Sequence, residues 1–174
     1  MIKDAGFSMV ELLIAVGIFV ILSAVAIPSY QAYATRSRIS GAASQLFSEL
    51  HTAKIKAISE NNDYKIVFDL DNNRYSIYDD AVLVKTVNIE SVYPGIAFGY
   101  VAGNGPDDTP ITGAVTFSGS PPAVTFRPTG LVDQSGEVYL KPVEDTSRKD
   151  RQRAITVKIT GTIKLYKHNG TSWE

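Results

Sequence analysis

Between Glu11 and Arg36 the chain runs for 24 residues without a charged side chain. As a helix rising about 1.5 Å per residue, that stretch crosses a hydrocarbon core of roughly 30 Å. A chain that opens this way is anchored in a bilayer or cleaved out of one. Ser23-Ala24-Val25-Ala26 imitates the small-residue cleavage site of a secretory signal peptide. Such a peptide has a shorter apolar region, however, and no acid within it. The spanning reading is therefore preferred. Composition narrows the remainder. Net charge is −1 with 20% charged residues, which excludes a strongly basic nucleic-acid binder and an acidic disordered tail, though not a local basic face. The chain has no Cys, so disulfides, thiolate nucleophiles, Cys-ligated zinc and iron–sulfur clusters are excluded.

Glu11 is the most informative residue of the opening segment. A carboxylate at mid-membrane costs on the order of 2.5–3.5 kcal/mol, and less near an interface. It either snorkels to the headgroups or meets a specific partner. A cut between Gly6 and Phe7 would create an amino group four residues before Glu11, one helical turn away on the same face. Ammonium and carboxylate then neutralise each other, within one chain or between neighbours.

Gly6-Phe7-Ser8-Met9-Val10-Glu11-Leu12-Leu13, followed by an apolar helix holding Pro28, resembles the type III signal sequence of type IV pilins and type II secretion pseudopilins. The resemblance implies a prepilin peptidase that cuts after Gly6 and N-methylates Phe7. It also implies that Glu11 meets the Phe7 amine of a neighbouring subunit in a filament. Lys3 in the leader is offset by Asp4, while Arg36 and Arg38 lie beyond the span. A count of cations alone thus favours the opposite orientation. The resemblance implies a cytoplasmic N-terminus with the remainder in the periplasm.

Past the span the helical pattern continues. Pro28 removes one backbone donor and frees the carbonyl of Ala24, which predicts a kink there, with Gly17 a second weak point. Gly17, Ser23, Ala24 and Ala26 permit close helix–helix approach. Ile39, Ala43, Leu46, Leu50, Ala53 and Ala57 recur at three- and four-residue steps, which makes an amphipathic helix with one face on a core. Asn61-Asn62-Asp63 ends it.

From Tyr64 the sequence reads as short strands. Tyr64–Phe68 and Arg74–Tyr78 flank a turn-rich loop and form a hairpin. Further strands are expected at Ala81–Ile89, Ile96–Tyr100, Ala114–Phe117, Val124–Phe126 and Glu137–Leu140. Arg148–Arg153 reads as a solvated charge run. Ala154–Thr160 follows, with Ile155, Val157 and Ile159 on one face, and then Thr162–Lys167. Helix first and strands after gives an α+β class with antiparallel sheets. Phe126-Arg127-Pro128-Thr129-Gly130, and later Arg153-Ala154-Ile155-Thr156-Val157 running into Gly161-Thr162-Ile163-Lys164, are similar to the C-terminal half of the H-type minor pseudopilins and their T/U-type minor pilin relatives, the GspH/FimT family. With the N-terminus, the resemblance spans nearly the whole chain. It implies a long N-terminal helix packed on antiparallel sheets.

No catalytic constellation is visible. His51 and His168 lie outside any metal-ligand spacing, and no Gly-x-Ser-x-Gly, Walker A or dinucleotide fingerprint occurs. No cofactor is expected. Asp69, Asp71, Asn73 and Asp80 occupy positions 1, 3, 5 and 12 of a calcium loop, but Arg74 stands where the sharp turn needs Gly. A hairpin turn with solvated acids is the preferred reading, and calcium the alternative. Arg153, Lys158, Lys164 and Lys167, with Tyr166 and Trp173 nearby, are candidates for following a nucleic-acid backbone. Some T-type relatives use a basic Gly-Arg-x-Arg-like element in DNA uptake. Gly161-Thr162-Ile163-Lys164 matches it with one of two basic residues. Solvated strand faces are the alternative.

The expected organisation is a leader at 1–6, a membrane and assembly helix at 7–35, and a periplasmic domain at 36–174. That domain divides into an amphipathic helix at 36–61 and a β region at 62–174. The resemblance implies a minor pseudopilin of a type II secretion system, working by assembly and not by turnover. The alternatives are a minor pilin of a type IV pilus and a DNA receptor of an uptake pilus; a membrane-anchored enzyme is a further one. Partners so implied are other pilin or pseudopilin subunits, the prepilin peptidase, an inner-membrane assembly platform and membrane lipid, with nucleic acid as the candidate outside that set. The implied location is the bacterial inner membrane, single-pass, and then the pseudopilus or pilus.

Overall fold

The computed structural model describes residues 8–174, so the Gly6–Phe7 junction lies outside the described residues. The long helix α1 runs Met9–Glu60 and is α-helical through Gly17 and Pro28. Contacts divide the chain at Thr35/Arg36.

In the first of these units, the large apolar side chains from Met9 to Leu22 are exposed, with Met9 at 78% and Phe19 at 74%. None of the described residues covers them. Two hydroxyls of this unit are satisfied inside the helix. Ser23 Oγ donates to the carbonyl of Phe19 at 2.7 Å and Thr35 Oγ1 to that of Gln31 at 3.0 Å. Such back-bonding is what an apolar environment demands of a polar side chain.

The second unit begins with the remainder of α1. Ile39, Ala43, Leu46, Leu50, Ala53 and Ala57, the residues that periodicity puts on one face, are all buried. Asn61 ends the helix at φ 57°, in the left-handed region that Asn tolerates. Two four-stranded antiparallel sheets follow. The first has the order β3-β2-β1-β5, from β1 (Tyr64–Asp69), β2 (Arg74–Asp79), β3 (Val82–Asn88) and β5 (Ala123–Phe126). The second has the order β4-β6-β7-β8, from β4 (Ile96–Phe98), β6 (Gly136–Pro142), β7 (Arg153–Val157) and β8 (Ile163–Lys167). A single turn of helix, α2 (Ile89–Val92), joins β3 to β4, capped by Asn88, whose side chain accepts from the Ser91 N–H.

One apolar core unites the helix with both sheets. Ile66, Phe68, Tyr75 and Ile77 come from the first sheet, and Val138, Leu140, Ile155 and Val157 from the second. Phe68 bridges them, edge-on to Phe98 and stacked on Phe117, both with ring centroids at 5.8 Å. Strand β7 is buried at all five positions. Its inner face meets the core, and Tyr139 and Trp173, with ring centroids 5.9 Å apart, pack on the other side of this sheet.

Several local expectations are corrected. Ala114–Phe117 is not a strand: Val115 makes one isolated bridge to Val138 before the chain turns away near Gly119. Ile159 is exposed because β7 stops at Val157 and the chain reverses at Gly161. The run at 148–153 is not solvated throughout, since Gln152 and Arg153 are buried. The hairpin register sets Asp69 opposite Arg74 and Tyr64 opposite Asp79. Asp80 therefore stands the whole of β2 away from Asp69, about 20 Å at 3.3 Å per residue. The amide of Asn73 is committed to Ile96 O and Phe98 N. The four residues of the calcium alternative are not brought together, and the hairpin reading stands.

Candidate assembly surface

Glu11 lies in the first turn of α1. A carboxylate there is favoured by the partial positive charge of the helix N-terminus. It is exposed among exposed apolar side chains, next to Leu12 and Leu13. Leu12 N–H donates to Ser8 O at 3.1 Å, so the turn is formed around it. A contiguous apolar surface of this length is stable only against lipid or other apolar helices.

The second half of α1 is fixed to the β region by polar contacts at intervals along its length. Arg153 Nη2 donates to Ser40 Oγ at 3.1 Å and its Nη1 to Gln152 O at 2.8 Å. Burial and the nearby Arg36 lower the Arg153 pKa, against the raising effect of Asp150. Glu49 pairs with Lys85 of β3. Lys54 Nζ donates to Gly161 O at 2.8 Å. Gly161 sits at φ 74°, and a Cβ there would lie 2.0 Å from Gly130 O and 3.2 Å from Lys54 Cε. Gly130, at φ 78°, faces Ile58. Two turns that are 31 residues apart in sequence thus stack on one turn of helix, and neither tolerates a side chain. Lys54 and Ser40 were not singled out by sequence reasoning. Their contacts span up to 113 residues, which no local pattern encodes.

This geometry does not gather the four nucleic-acid candidates on one face. Arg153 is spent inside the fold. Lys164 pairs with Thr156 on β7, and strand alternation puts Lys167 on the opposite face. Lys158 lines a cavity of 540 Å³ with Asp107, Glu137 and Tyr166. Glu137 accepts a hydrogen bond from the Tyr139 hydroxyl. Burial raises the Glu137 pKa, and the nearby Asp107 charge adds to it, against the lowering effects of Tyr139 and Lys158. A phosphate would meet carboxylates there. The four cations form no single track for a nucleic-acid backbone.

Comparison with known proteins places this architecture. The N-terminal residues 1–27 match the prokaryotic N-terminal methylation motif. Residues 42–162 match the family described as type II transport protein GspH. The chain belongs to the GspH family. In fold it is similar to the minor pseudopilin EpsH from the type 2 secretion system of Vibrio cholerae, with a TM-score of 0.55 at 15% identity over 75% of this chain and 97% of that one. It is also similar to the type IV minor pilin FimU of Pseudomonas aeruginosa, with a TM-score of 0.53 at 14% identity over 76% and 91% of the two chains. Among curated proteins, a fimbrial protein of Pseudomonas aeruginosa is 45% identical over 58 residues. That segment is 33% of this chain, and the match spans little more than a third (37%) of the relative's own length. The family is that described as type II transport protein GspH, and the fold is shared with these minor pseudopilin and minor pilin structures. The matched region includes the Gly130 and Gly161 turns that seat α1.

Proposed function

We propose that the protein is a minor pseudopilin of a type II secretion system, made as a single-pass inner-membrane precursor and moved into a short pseudopilus. The observation that carries the reading is the occurrence on one chain of the methylation motif at 1–27 and the GspH match at 42–162. In this reading a prepilin peptidase cuts after Gly6 and methylates the new amine of Phe7. The N-terminus faces the cytoplasm and residues 36–174 the periplasm. An inner-membrane platform draws the helix out of lipid and into a bundle of neighbouring helices.

The physical logic is one of substitution. Lipid covers the exposed apolar residues of Met9–Leu22 before assembly, and apolar neighbours cover them afterwards. Packing of small and apolar side chains holds the helices, and Glu11 sets their register. A carboxylate left without the Phe7 ammonium in that bundle is a buried unpaired charge, so misaligned subunits are disfavoured.

The similarity to FimU and the identity shared with a fimbrial protein favour a second reading, a minor pilin of a type IV pilus. Deletion of the gene separates the two. Loss of exoprotein secretion with surface pili intact supports the pseudopilin. Loss of pili with secretion intact supports the pilin.

A further inference from the structure

The two sheets have four edges, and three carry a protective device. On β4, the Asn73 side chain imitates a strand, donating to Ile96 O at 2.8 Å and accepting from Phe98 N at 3.0 Å. On β5, Asp133 N–H donates to Thr125 O at 3.1 Å, Asp133 Oδ1 accepts from Thr125 N, and Gln134 Nε2 donates to Ala123 O at 2.8 Å. On β8, Glu174 and Lys167 exchange both backbone bonds at 2.8 Å, and Lys164 and Lys167 stand exposed along the strand. The fourth edge, β3, has none of this. Among the described residues, nothing outside β2 bonds the backbone of Val82–Val87. Its side chains Val82, Leu83 and Val84 are exposed by half or more. The one lysine that could guard it, Lys85, is drawn to Glu49 on α1. The register shift against β2 falls at Val84, and it leaves Lys85–Asn88 in regular pairing with an unpaired outer edge.

An apolar strand edge with unpaired N–H and C=O groups recruits another strand. We propose that β3 accepts an extended strand from a neighbouring pilin-type subunit of the same filament, which locks the β domains of adjacent subunits. The proposal rests on the filament reading above. The size of the edge selects this occupant. Seven residues extend about 23 Å, and one strand pair falls well short of the 1,200–2,000 Å² of a stable free dimer. The contact therefore forms only where helix packing already holds the partner at high effective concentration.

The test uses the full chain in its own host, with the photo-reactive p-benzoylphenylalanine in place of Val84 or, as a control, of Leu13 on the membrane helix. Irradiation should join both variants to another pilin-type subunit, identified by mass spectrometry. Leu83→Lys combined with Val84→Lys should keep the wild-type level in the membrane fraction yet lower recovery in filaments at least tenfold. Capture by the Leu13 probe alone, or capture at Val84 of a protein without the pilin fold, overturns the proposal and leaves the filament role standing. Wild-type recovery of the double lysine variant overturns it too. If neither probe captures a subunit, the filament reading fails and this proposal fails with it.

Discussion

At Gly161 a single hydrogen atom decides whether α1 can seat on the sheets. A methyl group there would meet Gly130 O at 2.0 Å in a backbone already at φ 74°. Gly161→Ala should cost more than about 2 kcal/mol, seen as a lower melting temperature. Lys54→Met removes only the bond to Gly161 O and should cost about 1 kcal/mol. Glu137 behaves differently. Its pKa is raised above 4.5, chiefly by burial, so the folded state holds the proton more tightly than the unfolded state. The ionised group therefore costs stability, and the cost grows as pH rises from the ordinary carboxylate value through the raised one. Glu137→Gln keeps an acceptor for Tyr139 and should flatten the fall in unfolding free energy between pH 4 and 7. A variant with the wild-type slope would mean that Glu137 is not the group responsible. Glu11→Leu should still insert in the membrane, because removing a charge from an apolar run favours insertion. In the proposed filament it would leave the Phe7 ammonium without a partner, a penalty of roughly 3–5 kcal/mol. The variant should be cleaved normally and depleted from sheared filaments, and equal recovery would refute a register role for Glu11.

At the scale of elements, legibility followed how local the cause was. The face of α1 made by Ile39, Ala43, Leu46, Leu50, Ala53 and Ala57 was readable because its period of 3.6 lies within one stretch of chain. The hairpin of β1 and β2 was readable because alternation and turn residues sit side by side. The pairing of β1 with β5 was not, since it joins strands separated by more than fifty residues. Ala114–Phe117 looked like a strand by composition, but only tertiary pairing could make it one, and the segment forms no more than the isolated Val115–Val138 bridge. Arg153 looked solvated because a run of charges ordinarily is. Its partner Ser40 lies 113 residues earlier. The cleavage and register candidates Gly6, Phe7 and Glu11 rest on linear spacing alone, and Gly6 and Phe7 lie outside the described residues. Leu50 tests the packing of the element. It is fully buried, and Leu50→Ala should cost about 2–5 kcal/mol in urea unfolding. A loss below 1 kcal/mol would show that the helix is not seated as described.

At the scale of the whole molecule, the division at Thr35/Arg36 separates two kinds of stability. Residues 36–174 bury a shared core of helix and both sheets. A fragment beginning at Ser37 should fold alone, with cooperative unfolding and a mixed α/β circular dichroism spectrum. Aggregation or an unfolded spectrum would misplace the boundary. None of the described residues before it belongs to that core, and their exposed apolar side chains need lipid or neighbours to be stable. On the proposed function, that contrast suits an assembling subunit: residues 36–174 carry their own core, and the exposed apolar side chains of Met9–Leu22 are covered only by what surrounds them. The most direct measurement is mass spectrometry of the protein's N-terminus in isolated filaments beside that in the membrane fraction. The account predicts that filament-borne chains begin at N-methylated Phe7, with the six-residue leader gone. Chains that start at Met1 within filaments, or mature chains that never leave the membrane fraction, would contradict it.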